Sequence, residues 1–412
     1  MHLPKSTNWI TSWINSYTHL DFWIEIKPNR FIKKTMNKTN LILAISLMWF
    51  SFSFGQQKDT ISGKVKSIRE KVIFLTQREN PRLFEIDSDY GHSGFMGPES
   101  TISRFANIWY TTNFCYYINY ERRFDENGLL IEDIWYDKKD SLENYFRYEY
   151  DNKDRLVRKI DSIYDLVYID NHYYERDRHE TIISQNSDLD YYNYRYKRYD
   201  DNGNLIRQKS IDEFGTIDEY IYKYNENNKL LHRIYKNPNS YRKVGEKSWS
   251  WGVQDTIGNI YKDLVNKYDE SNRLIERKRY GLNSNGDHKG TKLSEHTIFK
   301  YKNDNLKQEI RGFSSDRPYY TNYEYDKENR LTKKYYFTEK ESNNRRIEKY
   351  DYKDDKIRFL EYTEEDWTSK ELRTYRIEFK YKYDDKGNWN EIVKKVDGKK
   401  LYKWIRQIEY YK

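Results

Sequence analysis

Tyr192-Asn193-Tyr194-Arg195-Tyr196-Lys197-Arg198-Tyr199-Asp200-Asp201-Asn202-Gly203-Asn204-Leu205 decides how the chain is read. Aromatic and polar residues alternate up to Tyr196, the period of two with which a strand addresses its two faces. Asp200 then opens a turn. Asn202-Gly203 supplies the positive φ that a tight hairpin requires, and Leu205 begins the return strand. The same order of aromatic, Asp or Asn, turn and Leu recurs at Phe124 to Leu130, Tyr150 to Leu156, Tyr224 to Leu230, Tyr268 to Leu274 and Tyr325 to Leu331. Tyr383 to Trp389 is a further copy, with Trp in place of Leu, and shortened copies stand at Tyr301 to Leu306 and Tyr352 to Ile357.

Starts at 124 and 150, at 199 and 224 and at 301 and 325 set a unit of about 25 residues, a period that marks a repeat architecture. The gap from Tyr150 to Tyr199 spans nearly two units and predicts a degenerate copy near Tyr174. The longer gap after Tyr224 predicts an insertion around Pro238 to Gly258. Ahead of the turns, Phe146/Tyr148/Tyr150, Tyr220/Tyr222/Tyr224 and Phe379/Tyr381/Tyr383 repeat the alternation, which predicts strands with one aromatic and one charged face. Asn228, Asn272 and Asn329 stand where other copies have Gly, and Asn tolerates the left-handed region. The Asp after the aromatic is placed to accept backbone N-H bonds inside the turn. A second turn, such as Phe214-Gly215 or Asp397-Gly398, returns the chain, so each unit contributes two antiparallel strands.

The expected fold is therefore all-β: tandem β-hairpin repeats over residues 116–412, forming an extended, twisted antiparallel sheet or a solenoid-like array. In such an array each unit leans only on its neighbours, so loss of end units is expected to cost stability gradually. Residues 56–115 are expected to form an N-terminal β cap, with a strand over Lys64 to Leu75.

The units Tyr-x-Tyr-Asp-x-x-Gly/Asn-x-Leu resemble the YD (Rhs-type) repeats of secreted bacterial proteins. The closing Asp385-Lys386-Gly387-Asn388-Trp389 resembles the terminal unit of secreted YD-repeat proteins of Bacteroidetes-type bacteria. The resemblance covers residues 116 to 412 and implies a hairpin array outside the cytoplasm. The units are longer and more charged than those of the large Rhs toxin shells, and no toxin-encapsulating role is carried over.

Composition agrees with a solvated β-protein. Of 412 residues 34% are charged and 17% aromatic, 43 of them Tyr, with a mean hydropathy of -1.14. Disordered chains are poor in aromatics, and Tyr buries its ring while its hydroxyl stays hydrogen-bonded. The formal charge of +8 is not a nucleic-acid signature. Residues 1 to 55 hold six Lys/Arg against two Asp/Glu, and beyond them the two signs are interspersed without a basic stripe. Cys115 is the single cysteine, which excludes an intrachain disulfide and points to a buried structural thiol.

Met36 opens a secretory signal: Lys38 in the n-region, Leu41 to Phe50 as the apolar run, and Ser53 and Gly55 ahead of Gln56. Residues 36–55 are read as a signal peptide cleaved near Gly55/Gln56, residues 1–35 as a non-native upstream extension, and the mature product as secreted, periplasmic or envelope-associated without a membrane span.

No residue set has the spacing of a cofactor or metal site. Asp200-x-Asn202-x-Asn204 imitates a calcium loop, but Leu205 and Ile211 stand where Gly and Glu are needed. His172, His179, His232, His288 and His296 are scattered and read as surface residues. Three functional readings follow. The first is a non-enzymatic binding or structural scaffold for a glycan or envelope protein, with Tyr192, Tyr194, Tyr196, Tyr220, Tyr222 and Tyr224 as stacking platforms. The second is a hydrolase using the loop with Asp87, Asp89 and His92, and the third a MORN-like interaction module.

Overall fold

The computed structural model describes residues 61–76, 95, 97–163, 166–175, 177–187, 191–237, 259–282, 291–313, 318–338, 341–366 and 369–412. The loop with Asp87, Asp89 and His92, the signal segment, His288 and the insertion around Pro238 to Gly258 lie outside them.

The chain forms β1 (Val65–Phe74), α1 (Pro98–Thr111), β2 (Asn119–Phe124), β3 (Leu130–Tyr136), β4 (Leu142–Tyr150), β5 (Leu156–Ile163) and β6 (Leu166–Glu175). There follow β7 (His179–Asn186), β8 (Tyr192–Tyr199), β9 (Leu205–Ile211), β10 (Ile217–Tyr224), β11 (Leu230–Asn237), β12 (Asn259–Tyr268), β13 (Leu274–Leu282) and β14 (Thr291–Lys302). The last third holds β15 (Asn305–Phe313), β16 (Tyr319–Tyr325), β17 (Leu331–Thr338), β18 (Glu341–Lys353), β19 (Lys356–Glu365), β20 (Leu372–Tyr383), β21 (Trp389–Val396) and β22 (Lys399–Tyr410).

The turns obey one rule. Asp125 Oδ1 accepts the backbone N-H of Asn127 at 2.9 Å and of Leu129 at 2.8 Å. Asp151, Asp200 and Asp326 repeat both bonds, and Asn225 does so with its amide oxygen. The fourth turn residue has positive φ: Gly128 and Gly203, but also Asp154, Asn228, Asn272 and Asn329. This is a type I turn followed by a left-handed residue, and a bulge follows, as between Arg123 and Phe124.

A second rule joins units. Pairing between one hairpin and the next stops short of the turn; β4 and β5, within a unit, pair to Tyr150 and Leu156, whereas β5 and β6 stop at Arg158 and Asn171. Where the ladder ends, a tyrosine hydroxyl takes over. Tyr150 donates to Leu130 O at 2.8 Å, Tyr174 to Leu156 O at 2.8 Å, Tyr224 to Leu205 O at 2.9 Å, Tyr268 to Leu230 O at 2.9 Å and Tyr301 to Leu274 O at 3.0 Å. Tyr352 and Tyr381 do the same for Leu331 O and Ile357 O. The repeated Tyr and Leu thus satisfy a carbonyl that inter-unit splaying would orphan. Tyr174 takes part, so the degenerate unit is real.

Each strand pairs antiparallel with its sequence neighbour, and the array does not stay open. β1 enters between β2 and β22, with Ile68 opposite both Arg122 and Ile408, and closes a 22-stranded barrel. The expected open sheet or solenoid is corrected accordingly: an all-β array it is, but one whose two ends share a strand. Closure removes the free edges that an open array would expose. The closing clamp is Asn388. Its Oδ1 accepts Ser62 N at 2.7 Å and its Nδ2 donates to Ser62 O at 2.9 Å, which ties the terminal unit to the segment ahead of β1.

The segment expected to supply further strands supplies α1 instead. Gly97 with φ 91° and Pro98 at the first helical position start it, and Phe105 and Trp109, both fully buried, project from one face. Phe105 meets Trp404 edge-on at 4.7 Å, and Trp109 meets Trp404 at 5.5 Å and Phe379 at 6.4 Å. The sheet face carrying α1 is the more buried one, as the concave face of a closed sheet must be, and is called inner below.

Candidate functional site

The inner face is not the aromatic face that the alternation predicted. Tyrosines share it with buried ions, each built into the wall by neighbours on the same strand or the adjacent one. Arg406 Nε donates to Glu70 Oε1 at 2.7 Å and Trp404 Nε1 to Glu70 Oε2 at 2.8 Å, with the Arg406 guanidinium 3.6 Å from the Trp389 ring centre. Arg122 holds fully buried Asp133 at 2.8 Å, and Arg346 and Tyr350 hold fully buried Glu348 at 2.8 and 2.5 Å. Buried carboxylates persist only when paired and hydrogen-bonded in this way.

Lys394, fully buried on β21, donates to Trp109 O at 2.7 Å and Phe114 O at 2.8 Å, satisfying carbonyls at and beyond the end of α1. Burial pulls its ammonium down to about 7, and burial pushes the neighbouring Cys115 thiol up to about 12. Cys115 is completely buried, the structural thiol that was expected.

Beyond the α1-packed wall, β5 to β15 present buried and half-buried polar and aromatic side chains inward. On β6 to β8, Glu180 is a hub: His172 Nδ1 lies at 2.8 Å, the Tyr199 hydroxyl at 3.0 Å, the Tyr174 hydroxyl at 3.4 Å and Lys197 Nζ at 3.4 Å. Burial opposes its charge, but His172, Lys197 and Tyr199 prevail and hold the carboxyl down to about 2. The repeat rule is broken here because β7 and β8 pair right to His179 and Arg198, which frees the Tyr199 hydroxyl for Glu180. His172, read as a surface residue, has a side chain only 9% exposed. Further round, Tyr235 donates to Asp218 at 2.5 Å, and Arg233 grips Asp263 at 2.5 Å while covering the Tyr220 ring at 4.7 Å.

The six tyrosines proposed as platforms do not share a face. Tyr196 stands opposite Lys209, and Lys209 opposite Glu219, so Tyr192, Tyr194 and Tyr196 point outward with Glu219. Tyr220, Tyr222 and Tyr224 point inward, toward Tyr235, Arg233 and Leu230. Tyr224 is already used in the inter-unit bond. The sequence signal for the Glu180 hub was the degenerate unit itself, with Glu175 in place of Asp and Glu180, opposite Tyr174, in place of Leu.

The outer wall is laced with ion pairs: Arg123 with Glu121 and Glu132 at 2.6 and 2.8 Å, Lys267 with Glu276 at 2.7 Å, and Lys382 with Glu391 at 2.8 Å. A membrane-spanning barrel carries an apolar band there. Among the described residues no helix is long and apolar enough to cross a membrane.

The class these features define is a closed antiparallel β-barrel assembled from hairpin repeats. No protein-family model matches the chain, and no curated protein matches it either. Among solved structures it is similar to a Tc holotoxin pore of Photorhabdus luminescens, at 12% identity and a TM-score of 0.27 over 69% of this chain and 19% of that one. It is similar also to the TcdB2–TccC3 assembly, at 11% identity and a TM-score of 0.26 over 70% of this chain and 19% of that one. A porin-like protein from Bacteroides uniformis aligns at 9% identity and a TM-score of 0.21 over 84% of this chain and 96% of that one. The chain spans about a fifth of each toxin chain.

Proposed function

We propose that the chain is a non-enzymatic scaffold of the bacterial envelope or exterior that holds an extended ligand along the inner wall of its barrel. One observation carries this reading: from β10 to β12 the inner wall sets tyrosine rings beside hydrogen-bonded ions on successive strands, half-buried rather than sealed, as at Tyr220, Arg233, Asp218 and Tyr235. Rings give stacking area and the fixed ions give direction, the combination that polymer recognition uses. Stacking contacts are individually worth about 1 to 3 kcal/mol in the nucleic-acid case, so affinity accumulates over several units.

The test is titration calorimetry of the exported protein with neutral dextran and with polygalacturonate. Binding is expected to survive replacement of the outer Tyr192, Tyr194 and Tyr196 by Ser. It is expected to fall when Tyr220→Ser and Tyr222→Ser are combined, each variant first shown to be folded by melting. Loss with the outer set and retention with the inner pair would overturn the reading.

A further inference from the structure

Six arginines on the inner wall come with a carboxylate. Arg122 has Asp133, Arg195 has Asp170, Arg233 has Asp263, Arg311 has Glu295, Arg346 has Glu348 and Arg406 has Glu70. Arg277, on β13, breaks the pattern. Its Nε donates at 3.3 Å to the amide oxygen of Asn266, a neutral group, and no carboxylate lies within ion-pair distance of it among the described residues. The Asn266 amide is anchored in turn, its Nδ2 donating to Leu230 O at 2.9 Å, so its oxygen is held toward the guanidinium.

The surroundings do not neutralise the charge. Across the strand Arg277 faces Thr297, and two residues along the same face stands Arg279. Glu295 is engaged by Arg311 at 3.1 Å and by the Thr297 hydroxyl at 3.0 Å, and Glu309 accepts from Tyr323 at 3.3 Å. Burial and the like charge of Arg279 hold Arg277 below the usual arginine range, the sign of a cation in want of a partner. Arg277 is half-buried, so its fork reaches the interior water.

We infer that Arg277 anchors an anion subsite on the inner wall, which takes a carboxylate, sulfate or phosphate group carried by the ligand of the barrel; the inference rests on the inner-wall reading above. A guanidinium fork matches such oxyanions in geometry, and a site already holding an unneutralised cation gains a charge-assisted bond without breaking an ion pair.

The experiment compares the exported protein with Arg277→Gln and, as an outer-wall control, Lys267→Gln. Each is titrated with polygalacturonate for carboxylate, dextran sulfate for sulfate and neutral dextran. Arg277→Gln is expected to lose about tenfold in affinity for one or both polyanions, in the range a charge-assisted bond supplies. Its neutral-dextran binding and Lys267→Gln are expected to match wild type. Which polyanion loses more identifies the group. Without polymer Arg277→Gln should melt no lower than wild type, because it removes a cation beside Arg279, and inorganic sulfate should raise the wild-type melting temperature more than the variant's. Unchanged polyanion affinity, an equal loss in Lys267→Gln, or a variant that melts several degrees lower or does not fold would each overturn the assignment. The sulfate shift separates the two failures: if it is present but no polymer binds, the inner-wall reading fails and the subsite stands.

Discussion

At the scale of the residue, Lys394 shows how far burial changes a side chain's chemistry. With the folded ammonium at about 7 and burial the cause, the unfolded chain holds this proton over a range in which the folded chain has released it. Stability therefore rises with pH above 7, by up to about 1.4 kcal/mol per pH unit from this group. Urea denaturation between pH 7 and 9 should show that slope in wild type and lose it in Lys394→Met, which will also be less stable because Trp109 O and Phe114 O lose their donor. The turn acids are a simpler case. Asp326 Oδ1 accepts Glu328 N at 3.0 Å and Arg330 N at 2.9 Å, and Asp326→Ala should cost about 1 kcal/mol, as loss of an equivalent helix cap does. The turn role of Asp could be read from the sequence because all its partners lie within four residues. The roles of Glu180 and Arg277 could not, since their partners come from neighbouring strands and a register decides which side chains meet.

At the scale of the element, the splayed end of the ladder between units is closed by one tyrosine hydroxyl. Tyr352→Phe should cost about 1 to 2 kcal/mol, because the Leu331 carbonyl is left without its donor at a splayed strand end. Tyr325 occupies the equivalent place, yet its hydroxyl is buried with no hydrogen-bond partner. Tyr325→Phe should therefore be neutral or stabilising, and chemical denaturation of the two variants side by side checks the contrast. α1 is the element that the periodic reading passed over. Its Gly97-Pro98 start and the four-residue step from Phe105 to Trp109 are helix signals, but a strand-forming neighbourhood of aromatics concealed them.

At the scale of the whole molecule, closure changes how the protein comes apart. An open array would lose stability unit by unit. In the closed barrel, deletion of residues 359–412 removes the partner of β1, the clamp residue Asn388 and the seat of α1 on Phe379, Lys394 and Trp404. The expected outcome is one cooperative loss of β signal and near-UV signal together in circular dichroism, rather than a graded decline. Removing the chain through residue 76 should instead leave β2 and β22 as bare edges, seen as aggregation in light scattering at unchanged β content.

Strand, turn and repeat were determined by the amino-acid sequence alone, because each depends on neighbours within one unit: alternation along a strand, Asp and Gly or Asn three residues apart in a turn, and a period of about 25 residues. Three things only the tertiary structure decided. The barrel closes because β1, remote from β22 in the chain, meets it in space. The two tyrosine triads lie on opposite faces because the register sets Tyr196 opposite Lys209 and Lys209 opposite Glu219, one residue out of step with Tyr220. The inner wall carries ions because carboxylates and cations from adjacent strands neutralise one another there, a cancellation set by register, which no single stretch of sequence contains.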